Sequence, residues 1–167
     1  PFIEEAFTLD INCRVLDIGC GDGGVMLSFL EKGIKATGIE LDELKSSYAK
    51  EFLSNYIANG QAEIINLNIY QEEALEKYRA LFDLIILKDV IEHIPDQEKF
   101  IPYLKQFLKP GGRIYFGFPP WYMPFGGHQQ ILISGWASKL PYYHLLPNFL
   151  YTGIMKMAGE TKEKIDE

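Results

Sequence analysis

The chain has 167 residues, of which 47% are hydrophobic and 14% aromatic, and it carries a formal net charge of -7. This length and apolar content are those of one globular domain with a substantial core. The acidic balance opposes phosphate-rich partners, so we expect no nucleic acid among its ligands. No apolar run reaches the roughly 20 residues of a spanning helix, and no secretion signal opens the chain, so we expect a cytoplasmic protein.

The chain alternates short apolar runs with helical patterns as far as residue 118. Predicted strands cover 15–18, 34–40, 62–67, 81–87 and 113–118, and predicted helices cover 25–30, 42–58, 71–80 and 96–109. This alternation predicts an α/β fold, a three-layer, doubly wound parallel sheet. In the second helix Leu44, Tyr48, Phe52 and Tyr56 recur every four residues, which predicts that this stripe belongs to the core.

The turn between the first strand and the first helix carries four glycines in six residues, at positions 19, 21, 23 and 24. A strand, a glycine turn and a helix in this order place free backbone N–H groups beside a bound ligand. The glycine spacing also fits the dinucleotide fingerprint, so an NAD-dependent oxidoreductase remains an alternative. Asp17, at the end of the strand, would repel a pyrophosphate and suits a cationic ligand. S-adenosylmethionine, with an ammonium, a sulfonium and no phosphate, is such a ligand.

Polar residues also follow the next two strands. Glu40 ends the second strand, where its carboxylate can accept both ribose hydroxyls of an adenosine ligand, and Leu41 would then flank the adenine. The alternative is that Glu40 is an acid that starts the following helix. Asn68 follows the third strand, where its amide suits either recognition of the adenine or an Asx turn.

Four segments of the chain, together with their order and spacing, resemble those of the class I, Rossmann-like S-adenosylmethionine-dependent methyltransferases. They are VLDIGCGDGG at 15–24, the acid Glu40, FDLIILKDVIEHIPD at 82–96 and LKPGGRIYF at 108–116. The resemblance implies that S-adenosylmethionine is the cofactor. It further implies a site in which the backbone around Gly19, Cys20 and Gly21 holds the methionine part, Glu40 the ribose, Asn68 with Ile69 the adenine, and the backbone of Leu87 and Lys88 the amino group.

The sheet of this family has seven strands, of which the last two are an antiparallel pair. Residues 151–167 contain only helix-like, charged sequence and cannot supply that pair. We therefore expect residues 1–167 to be a single, truncated methyltransferase domain that lacks strands 6 and 7.

Residues 119–150 are rich in aromatic side chains, prolines and glycines, and we interpret them as a substrate lid. Trp121, Tyr122 and His128 are the residues expected to contact the acceptor. The alternatives are that these aromatics cover the sheet or a partner subunit, or that they contact a membrane or a lipid-like acceptor.

Methyl transfer from a sulfonium is an in-line displacement, and a base is needed only if the acceptor must lose a proton. His128 is the first candidate for that base and His93 the second. Asp89, Glu92 and His93 stand at i, i+3 and i+4, which on a helical turn would place them on one face. Such a set could hold a divalent cation, but these residues more often cap the turn, so no metal is expected.

The sequence thus predicts an enzyme that transfers a methyl group from S-adenosylmethionine to oxygen, carbon or nitrogen of a small-molecule acceptor. A module that binds the cofactor without turnover is the alternative from another functional class. The identity of the acceptor and the oligomeric state are not specified by the sequence.

Overall fold

The computed structural model describes residue 3 and residues 7–120, 122–124, 135–136 and 139–160. The chain divides into two compact units, Pro1–Phe118 and Pro119–Glu167. The first contains the sheet, and the described part of the second contains one longer helix and a 3-10 turn.

The first unit is built on a five-stranded sheet. Its strands are β1 (Arg14–Ile18), β2 (Lys35–Glu40), β3 (Ala62–Asn66), β4 (Phe82–Lys88) and β5 (Leu108–Gly117). They lie in the order β3-β2-β1-β4-β5, and every pairing is parallel. The strand order reverses at β1, and in such sheets ligands bind beyond the carboxyl ends at this point. The predicted parallel α/β fold is confirmed, and antiparallel strands 6 and 7 are absent from the described residues.

Five helices connect the strands of the first unit. They are α1 (Gly24–Leu30), α2 (Glu43–Phe52), α3 (Ser54–Ala58), α4 (Glu72–Tyr78) and α5 (Gln97–Leu104). Neighbouring residues of β1 point to opposite faces, so Val15 joins the core around Met26 and Leu53, whereas Leu16 joins the core around Phe100 and Phe107. Each face of the sheet is therefore covered by its own helices, which gives three layers.

The prediction of a core stripe on the second helix is wrong for three of its four residues, and only Tyr56 packs, partly buried, against the core. Leu44, Tyr48 and Phe52 are exposed by 61%, 54% and 57%, and the helix breaks at Leu53 into α2 and α3. The buried face instead carries small side chains, Ser46 and Ala49, and ends in Leu53.

The reason is the close approach of this helix to the glycine turn. A Cβ atom on Gly23 would lie 3.6 Å from the Ala49 Cβ and 2.7 Å from the Leu53 Cδ1. Where the helix lies this close to the glycine turn, only small side chains fit between the two backbones. The face that carries the aromatic side chains therefore points to solvent.

The last strand begins earlier than the sequence predicts. Leu108 already pairs with Phe82, five residues before the predicted start at Arg113. The pairing is interrupted by a register shift between Phe82 and Leu84, where Gly111 adopts a φ of 84°. Pro110, Gly111 and Gly112 therefore form an irregular part of β5 and not a loop before it.

The second unit contains α6 (Asn148–Met157) after a 3-10 turn at Tyr143–Leu145. Met155 is the buried residue of α6, and the Tyr142 N–H donates to the Pro124 carbonyl at 2.6 Å. None of the helices in the described ranges combines the length and the apolar character that crossing a membrane requires.

Replacing Leu53 by alanine tests the revised packing of α2. Leu53 is fully buried, so Leu53→Ala should lower the free energy of unfolding by about 2–5 kcal/mol. Leu44→Ala, the matched change on the exposed face, should cost less than about 0.5 kcal/mol. Urea denaturation followed by circular dichroism measures both. Equal losses would contradict the observed orientation of α2.

Candidate functional site

The glycine turn after β1 is held by the end of β2. The Gly19 and Cys20 N–H groups both donate to the Ile39 carbonyl, at 2.8 and 3.3 Å. Gly19 has a φ of 69°, and a Cβ atom there would lie 2.5 Å from a methyl group of Val90. Both the backbone conformation and the contact with the segment after β4 therefore require glycine at this position.

Glu40, the last residue of β2, ties the turn to the next helix. Its carboxylate accepts from the Gly21 N–H at 2.8 Å and from the Asp42 N–H at 2.9 Å, and the residue is buried. Asp42 itself caps α2, since its carboxylate accepts from Leu44 and Lys45. The helix-starting acid is thus Asp42, and Glu40 belongs to the glycine turn. Each carboxylate oxygen of Glu40 keeps a second lone pair that can accept from a ligand hydroxyl.

Asp17 contributes a buried carboxylate directly behind the turn. The residue is 2% exposed, and its Oδ2 accepts no hydrogen bond from the described part of the chain. Burial and, to a smaller extent, the nearby Glu40 carboxylate raise the pKa of this carboxyl to about 7, against the opposing charge of Lys88. A buried carboxylate without a partner is costly, so this position favours a ligand that brings a positive charge or a donor.

A cleft of about 320 Å³ opens beside this carboxylate. Its lining residues come from the end of β1, the glycine turn, the start of α1 and the end of β4: Asp17, Gly19, Cys20, Asp22, Gly24, Val25 and Lys88. The volume is at the lower end of the range for small-molecule sites. Four of the residues predicted for the cofactor thus line one cleft.

Cys20 has no nucleophilic role in this cleft. Burial, together with the charges of Asp17 and Glu40, raises the pKa of its thiol to about 12. The thiol is therefore protonated at neutral pH, and the protonated form is a poor nucleophile.

The end of β4 carries Leu87 and brings Lys88 to the edge of the cleft. The Leu87 side chain is fully buried in the core, so the part of Leu87 that can meet a ligand is its backbone. The Lys88 ammonium lies 2.6 Å from the Asp89 carboxylate, and this hydrogen bond raises the pKa of the lysine. Asp89 has a φ of 56°, and its N–H donates to the Gly117 carbonyl at 2.7 Å. This left-handed residue turns the chain away from the sheet, and its carboxylate neutralises the cation at the edge of the cleft.

The residues predicted for the adenine lie at the ends of β2 and β3. Leu41 is exposed, whereas the Ile69 side chain is buried in the core. The Asn68 Oδ1 accepts from the Tyr70 N–H at 3.0 Å, which is an Asx turn. The Asn68 side-chain amide N–H groups are donors that a base could still use, so its role toward the adenine stays a prediction.

Asn66 is a positioning residue that the sequence analysis missed. Its side-chain amide donates to the carbonyls of Glu40 and Leu41, both at 2.9 Å. Asn66 lies opposite Glu40 in the parallel register of β2 and β3. Knowledge of that register is the signal that would have identified it.

The helical face proposed for Asp89, Glu92 and His93 is not formed. Only Ile91–His93 is helical, as a short 3-10 turn, and Asp89 precedes it in a left-handed conformation. Within the described ranges no three His, Cys, Asp or Glu side chains gather closely enough to hold a metal ion. His93 is exposed on this turn and stays the second candidate for a base.

The acceptor-binding residues are only partly described. Tyr122 is 80% exposed, and Trp121 and His128 lie outside the described residues. The roles expected for these three side chains stay predictions.

Comparison with known proteins identifies the family of the chain. A family model described as a methyltransferase domain matches residues 2–150. The ubiquinone biosynthesis O-methyltransferase of Coxiella burnetii is 31% identical over 115 residues, which are 69% of this chain and 47% of that protein. The chain thus spans about half the length of the curated relatives it matches.

Solved structures share the fold of the chain. A TehB-like SAM-dependent methyltransferase from Corynebacterium glutamicum matches with a TM-score of 0.56 at 21% identity, over 70% of this chain and 60% of that one. PKMT2 from Rickettsia typhi, solved in complex with AdoHcy, matches with a TM-score of 0.55 at 28% identity, over 64% of this chain and 21% of that one. The predicted family, its fold and S-adenosylmethionine as its cofactor are confirmed by these matches. The chain belongs to the methyltransferase-domain family.

Proposed function

We propose that this chain carries the cofactor-binding part of an enzyme that transfers a methyl group from S-adenosylmethionine to an oxygen of a small molecule. The observation that carries the proposal is the buried Asp17 carboxylate, which lies in a cleft with the glycine turn and whose Oδ2 accepts no hydrogen bond from the described residues. Oxygen is favoured over carbon and nitrogen because the Coxiella relative is named as an O-methyltransferase.

The described residues fit the cofactor in charge and in hydrogen-bonding capacity. Asp17 offers a carboxylate to the ammonium of the methionine part, and Glu40 offers free lone pairs to the ribose hydroxyls. The cofactor supplies a methyl group on a sulfonium, whose positive charge is lost on transfer. The acidic side chains therefore favour the charged methyl donor, while the fixed backbone of the turn orients it.

The acceptor hydroxyl must lose its proton when oxygen is methylated. An imidazole is suited to take it near neutral pH, and His128 and His93 are the two candidates in this chain. His93 follows β4, on the same edge of the sheet as the cleft. Its position supports it as a base, and His128 is supported by its place in the aromatic segment.

Calorimetric titration with S-adenosylmethionine, S-adenosylhomocysteine and NADH tests the proposal. We expect both sulfur ligands to bind and NADH not to bind, because a pyrophosphate would meet Asp17 and Glu40. Binding of NADH alone would overturn the proposal. Tight binding of S-adenosylhomocysteine without methylation of any hydroxyl-bearing acceptor would favour a cofactor-binding module without turnover.

Cofactor affinity should depend on pH through Asp17. The free protein holds the Asp17 proton up to a pKa of about 7, and a cationic ligand favours the ionised form. Binding is then linked to proton release, so affinity for S-adenosylmethionine should rise about ten-fold from pH 5.5 to 7 and level off above. Titrations in buffers of different ionisation enthalpy measure the released proton directly.

The Asp17→Asn variant separates this effect from other titrations. Because the folded pKa of about 7 lies above the unfolded value of 3.8, the unfolded chain releases the Asp17 proton at a lower pH than the folded protein does. The free energy of unfolding therefore falls between pH 3.8 and about 7. Asp17→Asn should therefore unfold at higher urea concentration than the parent above pH 7, yet bind S-adenosylmethionine more weakly and with a flat pH profile. If the affinity of Asp17→Asn for S-adenosylmethionine still rises between pH 5.5 and 7, the titrating group is not Asp17.

Glu40→Gln tests the two hydrogen bonds by which Glu40 holds the glycine turn. Glutamine has one acceptor oxygen in place of two, so either the Gly21 or the Asp42 N–H loses its partner. Since a hydrogen bond to a charged group contributes about 2 kcal/mol, we expect a comparable loss of stability and cofactor binding weakened by more than about ten-fold. Glu51→Gln, on the exposed face of α2, is the matched control and should change neither quantity. Unchanged affinity in Glu40→Gln would remove Glu40 from the site.

A further inference from the structure

The second unit differs from the first in charge. Residues 119–159 contain no Asp or Glu, although the chain has 23 acidic residues in all. The same stretch carries Lys139 and Lys156 and both tryptophans of the chain. Residues 119–159 therefore carry two lysines and no acidic side chain in a protein whose net charge is -7, and the acidic residues of the second unit all lie at 160–167.

Apolar side chains are exposed throughout the described part of this unit. They are Tyr122, Trp136, Tyr142, Leu145, Leu146, Phe149, Leu150 and Met157. A single exposed apolar residue needs no explanation, but a concentration of large ones marks a surface that binds something apolar.

The helix α6 organises part of these side chains into one face. Phe149, Leu150, Gly153 and Met157 stand at i, i+1, i+4 and i+8, which share one side of a helix. Met155, on the opposite side, is buried, whereas Phe149 and Met157 are 74% and 75% exposed. The apolar face of α6 therefore points away from its own unit.

Lysine borders this face. Lys156 precedes Met157 and is exposed, and Lys139 is exposed elsewhere in the same unit. A lysine beside an apolar helix face can lay its methylene chain on the apolar surface and keep its ammonium in the polar layer above.

We propose that this outer face, defined by Phe149, Leu150, Met157 and Lys156, docks onto the surface of an anionic phospholipid bilayer. Apolar side chains on one helix face with lysine beside them are the features of helices that lie in a membrane interface, and the same unit also exposes Trp136, Tyr122 and Tyr142. The absence of acidic side chains from residues 119–159 removes the repulsion that an anionic surface would otherwise meet there.

The inference goes beyond the proposed function and does not rest on it. The outer face belongs to the second unit, whereas Asp17 and Glu40 belong to the first. Loss of lipid binding and loss of cofactor binding can thus be measured separately in the same variants.

Sedimentation with sucrose-loaded vesicles tests the docking. We expect the protein to bind vesicles of phosphatidylcholine with about 30% phosphatidylglycerol more strongly than vesicles of phosphatidylcholine alone, because each surface lysine near an anionic membrane favours binding by about five-fold. Phe149→Ser/Met157→Ser should reduce the partition coefficient by more than about ten-fold. Lys156→Glu should reduce binding to the anionic vesicles alone.

The first unit offers matched controls. Leu44 and Phe52 are exposed apolar residues on a helix too, but Glu43 and Glu51 lie beside them. Leu44→Ser/Phe52→Ser and Lys50→Glu should therefore leave vesicle binding unchanged. Titration with S-adenosylhomocysteine, measured on every variant, reports that the first unit is folded.

Three results would overturn the proposal. The first is absence of binding to both kinds of vesicle, and the second is an equal loss in the Leu44→Ser/Phe52→Ser control. The third is a concentration-dependent dimer in analytical ultracentrifugation that Phe149→Ser/Met157→Ser abolishes while vesicle binding is unaffected, which would assign the face to a second copy of the chain.

Discussion

The candidate site depends on one carboxylate, that of Glu40. It accepts one hydrogen bond from the Gly21 N–H, in the loop after β1, and another from the Asp42 N–H, in the loop after β2. It therefore joins two loops that are separate in sequence. Asn66 fixes the peptide on the other side of Glu40 through two carbonyls. The loops over the carboxyl ends of β1 and β2 are thus held by hydrogen bonds to their backbone groups, which leaves little freedom for the glycine turn.

This construction has an electrostatic consequence. Glu40 is held close to the backbone N–H groups that it accepts from, and its charge adds to burial, the larger cause, in raising the pKa of the neighbouring Asp17 carboxyl. The free protein relieves that repulsion by holding a proton on Asp17 near neutral pH. A cationic ligand relieves it differently, by supplying the missing positive charge. Asp17 therefore lowers the stability of the free protein above its unfolded pKa, and under the proposed function the same carboxylate favours the charged methyl donor. Such a conflict between stability and binding is common at functional sites.

Features encoded locally could be predicted from the sequence, and those that depend on register or close approach could not. The apolar runs and the glycine turn predicted the strands and the position of a cleft at the end of β1. The orientation of α2 was predicted wrongly, because a four-residue period defines a stripe but not which side packs, and the contact between Gly23 and Leu53 decided that. Asn66 was missed because its role exists only once β3 is paired with β2. The helical face expected for Asp89, Glu92 and His93 is not formed because Asp89 adopts a left-handed backbone conformation, which the sequence does not predict.

The uneven distribution of charge limits how the second unit can bind lipid. The acidic residues lie outside 119–159, so an anionic bilayer attracts the lysines of the second unit and repels the acidic remainder of the chain. Both effects fall off over about 8–10 Å at physiological salt, so only charges near the membrane surface contribute appreciably. Lys139 and Lys156 are few in number, and their attraction is therefore small beside the burial of Phe149, Leu150 and Met157. The apolar face of α6 must then supply most of the affinity, with the lysines selecting the anionic surface, and such binding is weak enough to be reversible.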